Sequence, residues 1–192
     1  MVEAVFLDRD GVINEEVEYL HDPKDLRLIP GAARAIRMLN ELKIPVIVVT
    51  NQAGVARGYY PESQVAVLHE ALSQELEKEG AHIDRFYYCP HHRAAGKGKY
   101  AVDCDCRKPK PGLLAKAAKD LGLNLSRCVV IGDKASDLGA GVSAGCRTIL
   151  VMSGYGKEQW TAWDQPFQPH HVALDLRKAV EWLLQDSTRP VL

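Results

Sequence analysis

Four short, largely apolar runs recur along the chain, at residues 4–7, 45–50, 128–132 and 148–152. Each run has the length of a strand, and together they are rich in Val and Ile. Strands that are covered by helices on both faces show such uninterrupted apolar runs, whereas half-exposed strands alternate with polar residues. The pattern therefore predicts strands of a buried, parallel sheet.

Between these runs, apolar residues recur at the spacing of one helix face. The segments predicted as helices cover residues 32–42, 61–76, 111–121 and 176–184. Pro61 and Pro111 suit the first position of a helix, and Gly122 suits the position just after the end of one. The alternation of strands and helices predicts a doubly wound α/β fold, in which ligands bind beyond the carboxyl ends of the strands.

Polar residues follow three of the predicted strands at that edge. Asp8 and Asp10 follow the first strand, Thr50 and Asn51 end the second, and Asp133 follows a later one. We expect these side chains to converge on one site, since parallel strands share their carboxyl edge. The two aspartates taken alone are explained equally well as solvated or helix-capping residues of a loop.

Composition narrows the class of protein. The chain has 192 residues, 46% hydrophobic and 26% charged, which is typical of one soluble globular domain over residues 1–192. The formal net charge of -1 lacks the excess of positive charge that is typical of nucleic-acid-binding proteins. No stretch approaches the roughly 18–20 apolar residues of a membrane helix, and no targeting segment is visible. Five cysteines, an odd number, favour a reducing compartment, so we expect a cytoplasmic protein. We expect a monomer, because no apolar stripe is left over after the core is assigned.

Cysteines and histidines cluster between residues 89 and 106. Cys89 and His91 precede a polar segment rich in Gly and Lys, and Cys104 and Cys106 follow it. Three cysteines and one histidine form a common structural zinc set, and this segment cannot build a core of its own. The pattern favours a zinc-bound loop over three free thiols. Chemistry alone leaves His92 as an alternative to His91.

Four strings occur in the order and places found in the haloacid dehalogenase superfamily, namely DRDGVIN, VTNQ, CRKPKPG and GDKASD. The resemblance covers residues 6–150 and implies a Rossmann-like phosphatase. By that resemblance, Asp8 is the nucleophile that forms an aspartyl phosphate, and Asp10 is the general acid and base. Mg²⁺ is then held by the carboxylates of Asp8 and Asp133 and by the backbone carbonyl of Asp10.

The same resemblance assigns residues around the phosphoryl group. Thr50 and Lys108 contact its oxygens, and Asp137 orients Lys108 or a metal-bound water. The resemblance also favours His91 over His92 as the zinc ligand. Since zinc would hold the loop that leads into Arg107 and Lys108, we expect zinc removal to impair substrate binding.

Within the superfamily, the strings YYCPHH and VTNQAGVARG resemble the heptose bisphosphate phosphatases, which act in the synthesis of nucleotide-activated heptose. The related histidinol phosphatases have a shorter gap between the zinc ligand pairs. The resemblance implies a sugar bisphosphate as partner and these substrate-binding residues: Glu16, Val17, Glu18, Tyr19, Asn51, Gln52, Ala53, Arg107 and Lys134. Glu16, Val17 and Glu18 depart from the family pattern, and Arg57 is either a substrate contact or a surface residue.

No insertion large enough for a cap domain separates the motifs, so the zinc loop and the segment after the first motif are expected to shield the site. Two alternatives remain open. One is a phosphatase for histidinol phosphate or another small sugar phosphate. The other is a catalytically silent zinc-binding scaffold, although such a protein has no need to keep Asp8, Asp10, Thr50, Lys108 and Asp133 together.

Overall fold

The computed structural model describes residues 2–186. Its strands are β1 (Ala4–Leu7), β2 (Val46–Asn51), β3 (Arg85–Cys89), β4 (Cys128–Gly132), β5 (Arg147–Val151) and β6 (His171–Ala173). They form one six-stranded sheet in the order β3-β2-β1-β4-β5-β6, and all neighbours run parallel. The predicted parallel sheet is confirmed.

Helices cover both faces of this sheet. They are α1 (Ala32–Glu41), α2 (Ala53–Arg57), α3 (Ser63–Lys78), α4 (Gly112–Leu121), α5 (Ala135–Ser143), α6 (Gly156–Thr161) and α7 (Leu176–Asp186). Val5 and Leu7 of β1 pack with residues of α1, α3 and α7, whereas Ala4 and Phe6 pack with residues of α4 and α5. Because successive side chains of a strand point to opposite faces, a strand covered on both sides is apolar at every position. This explains the uninterrupted apolar runs.

The predicted strands and helices are all present, but two strands and three α-helices of the described residues were not predicted: β3, β6, α2, α5 and α6. Strand β3 begins with the exposed Arg85 at the sheet edge, so its pattern is mixed. Helix α5 contains Gly139 and Gly141, which lower its helix propensity. A Cβ at Gly141 would lie 2.7 Å from a side-chain carbon of Thr148 on β5. Close helix–sheet packing therefore selects glycine there, against local propensity.

The topology brings the polar motifs together. Strands β2, β1 and β4 are adjacent at the centre of the sheet, and their carboxyl ends lead into Asn51, Asp8 and Asp133. No separate cap domain is present within residues 2–186, so this edge is covered only by loops. Over the same residues, no helix combines the length and the apolar character that crossing a membrane requires.

Helix α3 provides a test of this packing. Leu72 is fully buried against the sheet, and Leu72→Ala should lower the free energy of unfolding by about 2–5 kcal/mol, because a buried cavity remains. Val67 on the same helix is 49% exposed, and Val67→Ala should cost less than about 1 kcal/mol. Urea unfolding of both variants checks this. Equal losses would show that α3 does not pack as described.

Candidate active site

A cavity of 310 Å³ opens at the carboxyl edge of the sheet. Most of the predicted site residues line it: Asp8, Asp10, Glu16, Glu18, Tyr19, Thr50, Asn51, Gln52, Ala53, Lys108 and Lys134. Tyr60, Ser136, Asp137 and Tyr155 complete the lining. Of these four, only Asp137 was singled out from the sequence.

Two glycine backbones enclose the carboxylate of Asp133. Gly11 has a φ of +83° and Gly154 a φ of +55°, both in the left-handed region, and a Cβ on either residue would lie 2.3 Å from Asp133 Oδ2. The backbone N–H of Tyr155 donates to the same oxygen at 2.9 Å. The other oxygen, Oδ1, is buried and has no hydrogen-bond partner among residues 2–186. The first loop thus packs on Asp133 and leaves one of its oxygens available for a ligand.

Asp133 belongs to a cluster of three buried carboxylates. Asp8, Asp133 and Asp137 each offer an oxygen atom, and these atoms lie within 4.8 Å of one another. Burial raises the pKa of Asp8 to about 6, against the opposing charge of Lys108. Burial and the charges of Asp137 and Asp8 raise the pKa of Asp133 to about 8. A hard divalent cation with oxygen ligands, such as Mg²⁺, fits this donor set and relieves the repulsion.

Lys108 is the cation at the centre of this cluster. Its Nζ lies 2.9 Å from Asp8 Oδ1 and 2.7 Å from Asp137 Oδ1, and it donates to the carbonyl of Val49 at 2.7 Å. Burial by itself lowers the pKa of Lys108, but Asp137 and Asp8 outweigh it and hold the pKa above its usual value. Asn51 exchanges two side-chain hydrogen bonds of 3.1 Å with the Lys108 backbone. The loop that carries Lys108 is thereby fixed to the end of β2.

Asp10 is held in a different set of contacts. Its carboxylate accepts from Arg9 Nε at 3.1 Å and Nη2 at 2.9 Å, from Asn14 Nδ2 at 2.9 Å and from Gln52 Nε2 at 3.2 Å. Burial favours a higher pKa for Asp10, but the Arg9 charge and these hydrogen bonds hold the pKa below its usual value. Gln52 in turn accepts from the hydroxyl of Tyr60 at 3.0 Å.

Arg9 is a site residue that the sequence reasoning missed. It is completely buried, although arginine is rarely found so deep without a partner. Its position between two aspartates, directly after a buried strand, was the available signal. The guanidinium makes a two-point contact with Asp10, which fixes the orientation of that carboxylate.

A short segment after the first motif, residues 15–20, covers one side of the cavity and is called the flap below. Glu16 Oε2 lies 2.8 Å from Lys134 Nζ. Tyr19 contacts Tyr59 edge-to-face with ring centroids 4.8 Å apart, and the Arg57 guanidinium lies 5.6 Å from the Tyr19 ring centroid. Arg57 therefore supports the flap and does not line the cavity.

The predicted zinc ligands also meet. Cys89, His91, Cys104 and Cys106 each contribute an atom to a group that lies within 4.8 Å. The three Sγ atoms are 3.0–3.4 Å apart, and His91 Nδ1 lies 3.4 Å from Cys106 Sγ. All three cysteines are free thiols. Three sulfurs and one imidazole nitrogen in a compact group fit a four-coordinate structural metal.

Other predicted residues lie outside the cavity. His92 accepts at Nδ1 from the backbone N–H of Ala95 at 3.0 Å and does not belong to the thiol cluster. Arg107 donates to the backbone carbonyl of His91 at 3.2 Å and does not line the cavity. Val17 is 44% exposed on the flap and also lies outside it.

Comparisons with known proteins agree with this geometry. A family profile described as haloacid dehalogenase-like hydrolase matches residues 5–81, and a second, HAD-hydrolase-like, matches residues 105–179. The chain is 44% identical to the D-glycero-D-manno-heptose-1,7-bisphosphate 7-phosphatase of Thermosynechococcus vestitus, over 94% of each chain. It is 42% identical to the D-glycero-beta-D-manno-heptose-1,7-bisphosphate 7-phosphatase of Haemophilus influenzae, over 80% of this chain and 84% of that relative.

A solved structure extends the similarity to three dimensions. The D,D-heptose 1,7-bisphosphate phosphatase from B. bronchiseptica, complexed with magnesium and phosphate, superposes with a TM-score of 0.86 at 31% identity. The match covers 95% of this chain and 99% of that structure. The sequence motifs, the fold and the relatives therefore agree, and the chain belongs to the haloacid dehalogenase-like hydrolase family, together with the heptose-1,7-bisphosphate 7-phosphatases.

Proposed function

We propose that this protein is a Mg²⁺-dependent phosphatase that removes the 7-phosphate of D-glycero-D-manno-heptose 1,7-bisphosphate. The observation that carries the proposal is the buried cluster of Asp8, Asp133, Asp137 and Lys108 at the carboxyl edge of the sheet, in a chain 44% identical to such an enzyme. We further propose that the chain acts as a single domain over residues 1–192, as a monomer in the cytoplasm.

Asp8 is assigned as the nucleophile. The backbone N–H of Arg9 and Lys108 Nζ both contact Asp8 Oδ1, at 2.8 and 2.9 Å. These contacts orient the carboxylate, and Oδ2 is the oxygen that we assign to the in-line attack on phosphorus. The attack forms the aspartyl phosphate and releases the sugar oxygen, which needs a proton.

Asp10 is assigned as the donor of that proton. Once it has protonated the leaving oxygen, it is a carboxylate, and hydrogen bonds from Arg9, Asn14 and Gln52 stabilise that form. The same carboxylate then accepts a proton from the water that hydrolyses the aspartyl phosphate. One of these hydrogen bonds has to open whenever a carboxyl oxygen of Asp10 carries the proton.

The remaining residues bind the phosphoryl group and the metal. Mg²⁺ would be held by the carboxylates of Asp8 and Asp133 and the backbone carbonyl of Asp10, where it supplies charge that lets one anion approach another. Thr50 Oγ1 accepts from Gln52 Nε2 at 2.9 Å, so its hydroxyl hydrogen remains available for a phosphoryl oxygen.

The proposed substrate-binding residues lie in and beside the cavity. Its lining includes Glu18, Tyr19, Asn51, Gln52, Ala53 and Lys134, together with Glu16 as the ion-pair partner of Lys134. Val17 and Arg107 are proposed to reach the substrate from outside that lining. The cations in this set are suited to the second phosphate. Zinc on Cys89, His91, Cys104 and Cys106 would hold the loop that leads into Arg107 and Lys108.

A panel of phosphate esters tests the proposed reaction. It contains both anomers of heptose 1,7-bisphosphate, histidinol phosphate and small sugar monophosphates. We expect kcat/KM to be at least about tenfold higher for a heptose bisphosphate, with loss of the 7-phosphate seen by ³¹P NMR. Asp8→Asn, which keeps the shape of the side chain, should lower kcat by at least about 10³-fold. A preference for histidinol phosphate contradicts the substrate assignment, and turnover by Asp8→Asn contradicts the nucleophile.

The raised carboxyl pKa values generate a prediction about pH. In the metal-free protein, Asp8 has a pKa of about 6 and Asp133 of about 8, above the ordinary 3.8 of an unfolded chain. The folded state therefore binds more protons, and its stability falls as pH rises from about 4 to about 8. Mg²⁺ binds the deprotonated carboxylates, so it should raise Tm more at about pH 8 than at about pH 5.

Thermal melts with and without Mg²⁺ at both pH values measure this difference. In Asp133→Asn, most of the pH dependence of the Mg²⁺ effect should disappear, because the carboxyl group with the higher pKa is gone. An equal Tm increase at the two pH values would argue against these carboxylates as the metal site.

The zinc loop gives a separate prediction. Cys104→Ser should lower the bound zinc and, with Mg²⁺ supplied, raise KM or abolish turnover, because the loop before Arg107 and Lys108 loses its anchor. Metal analysis and kinetics on the same sample check this. Cys146→Ser, a cysteine outside the cluster, should keep its zinc. A zinc-free Cys104→Ser protein with full activity would show that the metal does not position these cations.

A further inference from the structure

One cation of the cavity is paired with a carboxylate of the flap. Glu16 Oε2 lies 2.8 Å from Lys134 Nζ, and the side chains are 16% and 33% exposed. The Nζ atom also lies 4.6 Å from the ring centroid of Tyr155. All three residues line the cavity. The ion pair is therefore partly shielded and stands where substrate has to enter.

The second oxygen of Glu16 shapes the flap itself. Glu16 Oε1 accepts from the backbone N–H of Glu18 at 3.1 Å. Glu18 and Tyr19 have φ values of +40° and +57°, in the left-handed region that side chains other than glycine seldom adopt. The same carboxylate thus supports an unusual turn on one side and pairs with Lys134 on the other.

The two lysines that line the cavity differ in their ion-pair partners. Lys108 and Lys134 are the two lysines that line the cavity. Lys108 is engaged by Asp8, Asp137 and the carbonyl of Val49, all part of the catalytic floor. Lys134 is the cation whose ion-pair partner comes from the flap. A phosphate dianion carries more charge than a carboxylate and attracts Lys134 more strongly at equal distance.

We propose that Glu16 is a displaceable internal counter-ion of Lys134. In the substrate-free protein it keeps this cation paired and supports the turn of the flap. A phosphate of the substrate displaces it, and the flap loses its tie to Lys134 at that moment. Glu16 thereby competes with the phosphate of the substrate for Lys134. An anion that binds Lys134 less strongly than Glu16 does is kept out of the site. This rests on the proposed function only in requiring a phosphate ester as substrate.

Glu16→Gln tests the competition directly. Glutamine keeps a carbonyl oxygen for the Glu18 N–H but removes the charge that holds Lys134. We expect KM to fall about two- to fivefold, because the phosphate no longer has to break a partly exposed ion pair, whose free energy is small. We expect kcat to stay unchanged, because the ion pair affects substrate binding and not the chemical step. Glu15→Gln removes the same charge one residue away, from an exposed side chain outside the cavity, and should leave KM unchanged.

A double-mutant cycle assigns the effect to the pair. Lys134→Gln should raise KM. Adding Glu16→Gln to this variant should produce no further change in KM, since the lysine for which Glu16 and the phosphate compete is absent. Thermal melts show that each variant is folded. An increase in KM for Glu16→Gln would overturn the proposal, because Glu16 would then hold the substrate. An equal decrease in Glu15→Gln, or a decrease that persists without Lys134, would overturn it as well.

The substrate panel separates this test from the substrate assignment. If another ester is preferred over heptose bisphosphate, the heptose assignment fails, and the same set of proteins is compared on the preferred ester. The predicted pattern of KM values is the same, because it depends only on a phosphate that reaches Lys134.

Discussion

The buried ion pairs of Lys108 organise the whole site. One ammonium group contacts Asp8, Asp137 and the carbonyl of Val49, and so joins the ends of β1 and β2 to the start of α5. Breaking a buried pair leaves an uncompensated charge, which is strongly destabilising. The three carboxylates, with Asp133 included, still outnumber this one cation. The site is therefore suited to a further cation from solution, and burial together with the charges of Asp137 and Asp8 raises the pKa of Asp133.

The two aspartates of the first motif have separate environments although they are two residues apart. Asp8 faces the carboxylate cluster, where burial raises its pKa to about 6. Asp10 faces Arg9, Asn14 and Gln52, where the guanidinium and hydrogen bonds hold its pKa below the usual value. Divergent environments for two neighbouring acids are a common way to give them different roles. Gly11 allows this arrangement, since any side chain there would collide with Asp133.

Loops cover the site, since residues 2–186 form no separate cap domain. On one side the thiol cluster leads directly into Arg107 and Lys108, and on the other the flap is tied to Lys134 through Glu16. A compact cluster of thiol and imidazole ligand atoms and an ion pair thus hold these loops in place of packing by a second domain. The thiol cluster is suited to holding its loop permanently, whereas the ion pair between Glu16 and Lys134 is partly exposed and can open.

The pattern of apolar residues was enough to predict the parallel sheet and the edge at which the site lies, because uninterrupted apolar runs require burial on both faces and parallel strands share their carboxyl ends. The side chains that meet at this edge are visible only in the folded chain. The contact of Arg9 with Asp10, the pairing of Lys108 with Asp137, the place of His91 in the thiol cluster and the pairing of Glu16 with Lys134 all depend on side-chain orientation. Glu16 and Lys134 are 118 positions apart, so no local pattern could link them. Asp8 and Asp10 alone did not single out a site; the fold groups them with Asp133 and Lys108 at one edge of the sheet.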